Sequence, residues 1–331
     1  MLQCDMRQTK YIRMLIHERY TRMTAATERM KLGFMPDMAE NSMGADTPHG
    51  TTPRFGDIQR MAQIAEETGA DSFWLADHLL YRFPNIGEAG AWDVFSFLAG
   101  VAATTKRIQL GPLVACTSFR NPAQLAKIAD SMDEVSGGRF ILGLGAGWHK
   151  PEYDAYGYPF DHLASRFEEA LQIIVPLLRE GHVDFKGQYY EARDCALRPR
   201  GPTPKGPKIW IGAHKPRMLR LIAQYGDAWN TVWHEWPSEV EEAYPRMLQA
   251  CEEAGRDPAS LELTAGTIVK ILAPGESKQD DYKGIQGEPE EVANGLRGFE
   301  AVGVKHLVVQ VEGHDPIGAE RFGKVIESFR Q

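Results

Sequence analysis

The stretch from Asn121 to Gly147, NPAQLAKIADSMDEVSGGRFILGLGAG, decides the fold. Asn121 supplies a helix N-cap, and Pro122 presets the first helical position. This helical pattern ends at the pair Gly137-Gly138. Its apolar residues recur at helical spacing: Leu125, Ile128, Ala129 and Met132. An apolar strand over residues 139–144 comes next. The order helix, glycine, strand predicts one unit of a parallel sheet covered by helices.

The same order of helix, glycine and strand recurs on both sides of this stretch. A helical pattern over 55–68 stops at Gly69 before a strand, and Gly226 and Gly303 also separate a helix from a strand. The strands predicted in this way number eight: residues 31–36, 72–76, 107–111, 139–144, 208–213, 228–232, 261–270 and 306–312. Eight such units predict an α/β fold, a closed (β/α)8 TIM barrel, and a doubly wound parallel sheet is the alternative.

Two segments do not follow this alternation of strands and helices. Residues 183–185 and 188–190 around Lys186-Gly187 predict a hairpin insertion between the fourth and fifth strands. Residues 1–29 are rich in Arg and Thr and lack the apolar region of a secretory signal. We interpret them as an N-terminal extension, appended or mis-started, with a presequence as the alternative. Residues 30–331 are then a single barrel domain.

Composition excludes several classes of function. The chain has 331 residues, and 45 acidic against 37 basic residues give a net charge of −8, which does not suit a nucleic-acid partner. A mean hydropathy of −0.36 and the lack of any run of eighteen apolar residues argue against a membrane protein. The four cysteines, at 4, 116, 195 and 251, form no C-x-x-C pair, which favours a reducing cytoplasm. The ten histidines show no metal-binding spacing.

The residues that do chemistry in such a barrel come from the C-terminal ends of its strands. The second predicted strand ends in Ala76-Asp77-His78, so an imidazole, which titrates near neutral pH, lies at the barrel mouth and suits proton transfer. A surface or capping histidine is the alternative. After the fifth strand, the helix start at Gly212 to Arg217 predicts a phosphate cradle with Lys215 and Arg217 as cations, and an ordinary loop is the alternative.

The run from Gly143 to Gly147 follows the fourth predicted strand. It is not a dinucleotide fingerprint, because the third glycine comes one place early and no helix opens directly after it. Glycine at such a position lets a flat ring or a phosphate approach the backbone. A tight packing turn is the alternative.

Taken together, several short segments resemble the bacterial luciferase-like monooxygenase superfamily, in the branch that uses the deazaflavin coenzyme F420. The resemblance covers residues 31–331 and rests on these segments: 73–78 (FWLADH), 107–111, 120–126, 145–148 leading to Glu152-Tyr153, 185–190, 208–212, 226–230 and 287–292. It implies a barrel whose mouth binds F420, with FMN as the alternative cofactor. Members are commonly dimers through barrel helices, which implies a homodimer here.

The resemblance also implies roles for individual residues. His78 is the implied catalytic acid or base and also a cofactor contact. A cis peptide is implied at Leu113-Val114. The remaining cofactor contacts are Asp77, Leu113, Val114, Cys116, Ala146, Gly147, Gly212, Ala213, Lys215, Pro216 and Arg217. We predict that Met35, Trp148 and Trp229 line the substrate pocket and that no metal takes part.

One departure from the family bears on the substrate. Sugar-phosphate dehydrogenases of this family have an acid directly after the strand-four glycines, where this chain has Trp148. Their proton donor and substrate are therefore not transferred, and an aromatic wall for an apolar substrate replaces them. The resemblance predicts an F420-dependent oxidoreductase acting on a small organic substrate. An FMN-dependent monooxygenase and a non-catalytic flavin-binding barrel are the alternatives.

Overall fold

A computed structural model describes residues 29–40, 52–84, 87–312 and 316–331. Most of the predicted N-terminal extension, residues 1–28, lies outside the described residues. The strands are β1 (Lys31–Met35), β2 (Ser72–Leu75), β3 (Leu80–Phe83), β4 (Gly87–Gly90), β5 (Gln109–Pro112), β6 (Ala115–Cys116), β7 (Ile141–Gly145), β8 (His182–Lys186), β9 (Glu191–Ala196), β10 (Lys208–Gly212), β11 (Ala228–Thr231), β12 (Glu262–Ile271), β13 (Ile285–Gly287) and β14 (His306–Val311).

The main sheet is parallel, in the order β5-β2-β1-β14-β12-β11-β10-β7-β6, and β13 pairs with β12. The two ends of this order, β5 and β6, are consecutive in the chain and are separated only by Leu113-Val114. A bridge between Leu110 of β5 and Phe140, the residue before β7, connects β5 to the other end of the sheet. Eight strand positions therefore close into a barrel. The predicted barrel is confirmed, and the alternative of an open sheet is not found.

The helices surround this barrel: α1 (Phe55–Glu67), α2 (Val94–Thr104), α3 (Pro122–Ser136), α4 (Lys150–Tyr156), α5 (Leu163–Glu180), α6 (Pro216–Tyr225), α7 (Pro237–Glu253), α8 (Pro289–Ala301) and α9 (Pro316–Arg330). Helix α3 begins as predicted, because the Asn121 side chain accepts the N–H groups of Ala123 and Gln124. It ends at Gly137, whose φ of 63° is left-handed. Across the described ranges, no helix is long and apolar enough to cross a membrane.

The predicted hairpin insertion is β8 and β9, but its second strand begins later than predicted. Residues 188–190 form the turn, and β9 starts at Glu191. The Glu169 carboxylate accepts the N–H groups of Gln188, Tyr189 and Tyr190 at 2.7–3.0 Å, so these donors are not available to a strand partner. A second hairpin, β3 with β4, follows β2 and was not predicted.

Two apolar layers hold the barrel together. The interior contains Trp74 and Trp210, stacked at 4.5 Å between ring centroids, with Met35, Leu113, Ile141, Ala228 and Val308 around them. The Trp74 indole donates to Ser72 Oγ, which contacts His306 Nε2 at 2.6 Å. Burial lowers the pKa of His306 to about 3, so this imidazole stays neutral near pH 7. The outer layer lies between strands and helices.

Candidate active site

Asp77 ends the second barrel strand as predicted, but its carboxylate is held by other protein groups. It is 3% exposed and accepts both Arg120 Nη1 (2.6 Å) and Nη2 (3.0 Å). It also accepts the N–H group of Cys116 at 2.8 Å. Arg120 reaches Asp93 as well, at 3.2 Å. Asp77 therefore joins the ends of β2 and β6 rather than presenting free oxygens to a ligand.

His78 lies beside Asp77 and pairs with Glu152 of α4. Its Nδ1 is 3.0 Å from Glu152 Oε1, although the two residues are 74 positions apart in the chain. The second carboxylate oxygen accepts the N–H of Leu79 at 2.9 Å. Glu152 is 1% exposed, whereas the His78 side chain is 15% exposed. A buried carboxylate thus holds the Nδ1 edge of an imidazole that remains partly exposed.

Aromatic side chains from the β3–β4 hairpin and from the loop after β7 surround His78. Tyr81 lies 4.4 Å from the His78 ring and Trp148 lies 5.6 Å from it, edge to face. Phe83 stacks on Trp148 with centroids 6.3 Å apart. Trp148 is 59% exposed, so it offers a ring face to solvent next to the imidazole. This arrangement places an aromatic wall beside the His78 imidazole.

His149 is a second imidazole near His78, but its ring nitrogen accepts a hydrogen bond from the protein backbone. Its Nε2 accepts the N–H of Arg82 at 3.0 Å, and the residue is 4% exposed. Burial is the main cause that lowers its pKa, and the nearby His78 adds to this, while Glu152 acts in the opposite sense. His149 therefore anchors the hairpin as a neutral acceptor.

The peptide Leu113-Val114 is cis, as predicted. Leu113 is buried in the barrel interior with Met35, below the mouth. Val114 extends over the strand ends of β7 and β10: a Cβ atom on Gly145 would lie 2.6 Å from its side chain, and one on Gly212 would lie 3.3 Å away. The glycines of both strands therefore make room for this valine, which forms an apolar platform at the mouth.

Cys116, Ala146 and Gly147 are brought together by Tyr153. The phenol donates to the Ala146 carbonyl at 2.8 Å and lies 3.0 Å from Cys116 Sγ. Gly147 has a φ of 82°, and a Cβ atom there would lie 1.8 Å from the Tyr153 hydroxyl. Burial raises the pKa of Cys116 to about 12, so its thiol is protonated near pH 7. A side chain at Gly147 would therefore collide with Tyr153.

The predicted phosphate cradle follows β10, the strand next to β7 in the sheet. Gly212 and Ala213 are half-buried, and Lys215, Pro216 and Arg217 are exposed at the start of α6. No side chain caps this helix start. Arg217 pairs with Glu168 at 2.7 Å. The segment therefore has the N–H groups and the charge that anion binding needs.

Trp229 does not lie at this site. Its side chain is 1% exposed, donates to the Ala213 carbonyl at 2.8 Å and packs in the layer between strands and helices. Adjacent side chains of a strand point to opposite faces, and Trp229 points outward while Ala228 points into the barrel. The predicted role in the substrate pocket is therefore wrong for Trp229.

The structure adds residues that sequence reasoning missed. Glu152 was noted only within a matching segment, and no local sequence signal points to its partner, His78, 74 positions away. Tyr81 and Phe83 belong to the hairpin that was not predicted. Trp233 follows a second cis peptide, at Val232-Trp233, and covers Gly266 of β12. Among the described residues, no group of three or more His, Cys, Asp or Glu side chains could hold a metal.

Comparisons with known proteins identify relatives of this chain. Phthiodiolone/phenolphthiodiolone dimycocerosates ketoreductase of Mycobacterium kansasii is 32% identical over 227 residues, which are 63% of this chain and 62% of that protein. Pyrimidine monooxygenase RutA of Klebsiella pneumoniae is 34% identical over 209 residues, 60% of this chain and 56% of that protein. The matches thus span about three fifths of the length of these curated relatives.

A solved structure shows the same fold. The F420-dependent secondary alcohol dehydrogenase in complex with an F420-acetone adduct superimposes with a TM-score of 0.75 at 20% identity, over 92% of this chain and 100% of that one. The family model for luciferase-like monooxygenases matches residues 30–285, well over half of the chain. The chain therefore belongs to the luciferase-like monooxygenase family.

Proposed function

We propose that this protein is an oxidoreductase that transfers a hydride between coenzyme F420 and a small organic substrate, with His78 as its general acid or base. The observation that supports it most is the position of the His78 imidazole, which is held at Nδ1 and remains partly exposed. It lies at the end of the second barrel strand, is held on one side by Glu152 and borders the exposed ring of Trp148. Such a group suits transfer of one proton beside a hydride acceptor.

The residues at the mouth fit a planar tricycle with a phosphate-bearing tail. Val114 forms an apolar platform that a ring system can rest on, because glycines leave it space at two strand ends. The uncapped start of α6, with Lys215 and Arg217, suits the phosphate. We propose these contacts for the cofactor: His78, Leu113, Val114, Ala146, Gly147, Gly212, Ala213, Lys215, Pro216 and Arg217. Asp77 and Cys116 hold these residues in place through contacts within the protein.

When bound, F420 supplies or accepts a hydride at a ring carbon and does not readily activate oxygen. The chain then has to manage one proton. If a carbonyl is reduced, a protonated His78 donates from Nε2 to the carbonyl oxygen. If an alcohol is oxidised, the neutral Nε2 accepts the hydroxyl proton. Trp148 and Phe83 bind the apolar part of the substrate and exclude water from this position.

Titration of the purified protein with F420 and with FMN tests the proposal. We expect micromolar binding of F420, followed by its absorbance near 420 nm, and much weaker binding of FMN. In His78→Ala, F420 should still bind, while turnover with a panel of small alcohols and ketones should fall about 10²–10⁴-fold. His182→Ala is the matched control, since that imidazole lies on the β8–β9 hairpin and pairs with Asp194. Micromolar binding of FMN alone would reject the F420 proposal.

An FMN-dependent monooxygenase is the second candidate, because the chain is 34% identical to a pyrimidine monooxygenase. The same mouth residues would then hold FMN, and reduced FMN with oxygen would replace F420. Oxygen consumption in the presence of a flavin reductase separates the two candidates.

We also propose a cytoplasmic homodimer that takes a small-molecule substrate. Cys116, Cys195 and Cys251 are free thiols, which suits a reducing compartment. Light scattering of the purified protein measures the oligomeric state, and a monomer at micromolar concentration would contradict the dimer.

A further inference from the structure

We propose that Glu152 is a positioning residue that holds His78 in the Nδ1–H tautomer and so keeps Nε2 open at the barrel mouth. This inference deepens the proposed function, because it rests on His78 as the proton-transferring group. Glu152 comes from the short helix α4 and His78 from the end of β2, so the contact is made only when the barrel closes.

The contacts of the carboxylate fix where the proton lies. An ionised carboxylate only accepts hydrogen bonds. One oxygen accepts the backbone N–H of Leu79 at 2.9 Å, and the other lies 3.0 Å from Nδ1 of His78. Nδ1 must therefore carry the hydrogen of this pair. The partner of an imidazole nitrogen generally determines the tautomer in this way.

The pair with Glu152 does not use the second ring nitrogen, Nε2. Within the part of the chain that the structure describes, Nε2 of His78 makes no hydrogen bond. Tyr81 of β3 and Trp148 of the loop after β7 contact the ring through their aromatic faces. Asp77, the neighbouring acid, is bound to Arg120. Nε2 is consequently the position at which a substrate proton is taken up or released.

His149 shows why its neighbour cannot replace His78. Its Nε2 already accepts the N–H of Arg82 at 3.0 Å, and the residue is 4% exposed. Two imidazoles lie side by side at the mouth, but only His78 combines a fixed Nδ1 with an open Nε2.

The tautomer can be measured directly on the protein without a cofactor. In protein labelled with ¹⁵N-histidine at about pH 9, where an ordinary imidazole is neutral, long-range proton–nitrogen spectra distinguish a protonated from a bare ring nitrogen. His78→Gln assigns the signals. We expect a protonated Nδ1 and a bare Nε2 in the wild type. In Glu152→Gln, the single amide oxygen is retained by Leu79 N–H, so the NH₂ group faces Nδ1 and the tautomer reverses.

Two further variants complete the test. Asp154→Asn, on the exposed side of the same helix, should leave the signals unchanged, because Asp154 is exposed and pairs with Lys150. Glu152→Asp, which keeps a carboxylate, serves if the Gln variant does not fold, and should keep Nδ1 protonated. A wild-type His78 with its hydrogen on Nε2, as a protonated Glu152 would produce, overturns the proposal. So does a Gln variant whose tautomer is unchanged.

Activity gives an independent readout. With F420 loaded, Glu152→Gln should lower kcat by about 10²–10⁴-fold and leave F420 affinity within about two-fold, because only the proton transfer is impaired. If F420 does not bind at all, the proposed function fails while the tautomer result still stands. An unchanged kcat in a variant whose tautomer has reversed would show that Glu152 does not position His78 for catalysis.

Discussion

Arg120 binds two carboxylates at once, and one of them is buried. The Asp77 side chain is 1% exposed, and the guanidinium that neutralises it is 11% exposed. Removing one partner of a buried ion pair leaves an uncompensated charge and typically costs about 3–5 kcal/mol. Loss of Arg120 would therefore destabilise the fold mainly because Asp77 would remain without its partner, and less because the net attraction of the pair is lost.

We expect Arg120→Met to lower the free energy of unfolding by about 3–5 kcal/mol, because the buried Asp77 carboxyl loses its charged partner. Urea denaturation followed by circular dichroism measures this. Arg60→Met is the matched control, since Arg60 is half-exposed and pairs with Glu67 at 3.7 Å. The control should change stability by less than about 0.5 kcal/mol. An equal effect of both substitutions would contradict the role given to Asp77.

Gly147 and Gly157 have nearly the same backbone conformation but different surroundings. Their φ angles are 82° and 77°, yet only Gly147 has a side chain in the space of a Cβ atom. Gly157→Ala should cost about 1 kcal/mol, the backbone cost alone. Gly147→Ala should cost clearly more, because the Tyr153 hydroxyl must move. Thermal denaturation compares the two variants, and equal melting temperatures would show that Tyr153 does not need this space.

At the scale of elements, the end of α1 is joined to the start of β5 by one carboxylate. Glu66 accepts the N–H groups of Lys106 and Ile108 at 2.9 Å, and that of Arg107 as well. Burial acts to raise the pKa of Glu66, but these hydrogen bonds and the charge of Arg107 outweigh it, so the pKa is lowered. The carboxylate is thus more stable ionised in the folded protein than in the unfolded chain.

This lowered pKa has a consequence for stability against pH. A carboxyl group with a lowered pKa stabilises the fold above its unfolded pKa of about 4.3, and the stabilisation is lost as the pH falls through the folded value. Glu66→Gln should therefore be less stable than the wild type at pH 7, and the difference should shrink below about pH 4. Urea unfolding at several pH values measures this. Glu67→Gln, on the exposed side of the helix, is the control and should change stability at pH 7 by less than about 0.5 kcal/mol.

The elements themselves were largely predictable, because their signals are local. The cap at Asn121, the apolar stripe of α3 and the glycine after it lie within one stretch of sequence. The β3–β4 hairpin was missed because its second strand, Gly87–Gly90, has two glycines and little apolar character. The direction of Trp229 was missed for another reason: both faces of a barrel strand are buried, so apolar alternation does not tell the interior from the helix side.

At the scale of the whole molecule, the site depends on contacts that no local pattern contains. The strand ends at Asp77 and Gly147 were predicted from the barrel rule, since parallel strands bring their ends to one mouth. The pairing of His78 with Glu152, however, joins residues 74 positions apart. Whether a strand-end side chain faces a ligand or a neighbour, as Asp77 faces Arg120, depends on the closed structure.

Closure of the barrel also relies on its last helix. Phe322 of α9 is fully buried and contacts Phe34 of β1 with ring centroids 5.5 Å apart, so it links the last helix to the first strand. Phe322→Ala should lower the free energy of unfolding by about 3–5 kcal/mol through the cavity it leaves. Ile317→Ala is the control on the same helix, because Ile317 is 50% exposed and should contribute less than about 0.5 kcal/mol.

Urea denaturation followed by circular dichroism and by tryptophan fluorescence measures the stability of both variants. Tryptophan fluorescence also follows the barrel strands, because Trp74, Trp210 and Trp229 are buried in them, so its transition should shift with the helix signal in Phe322→Ala. A tryptophan transition that stays at the wild-type position would show that the barrel does not need this helix to remain closed.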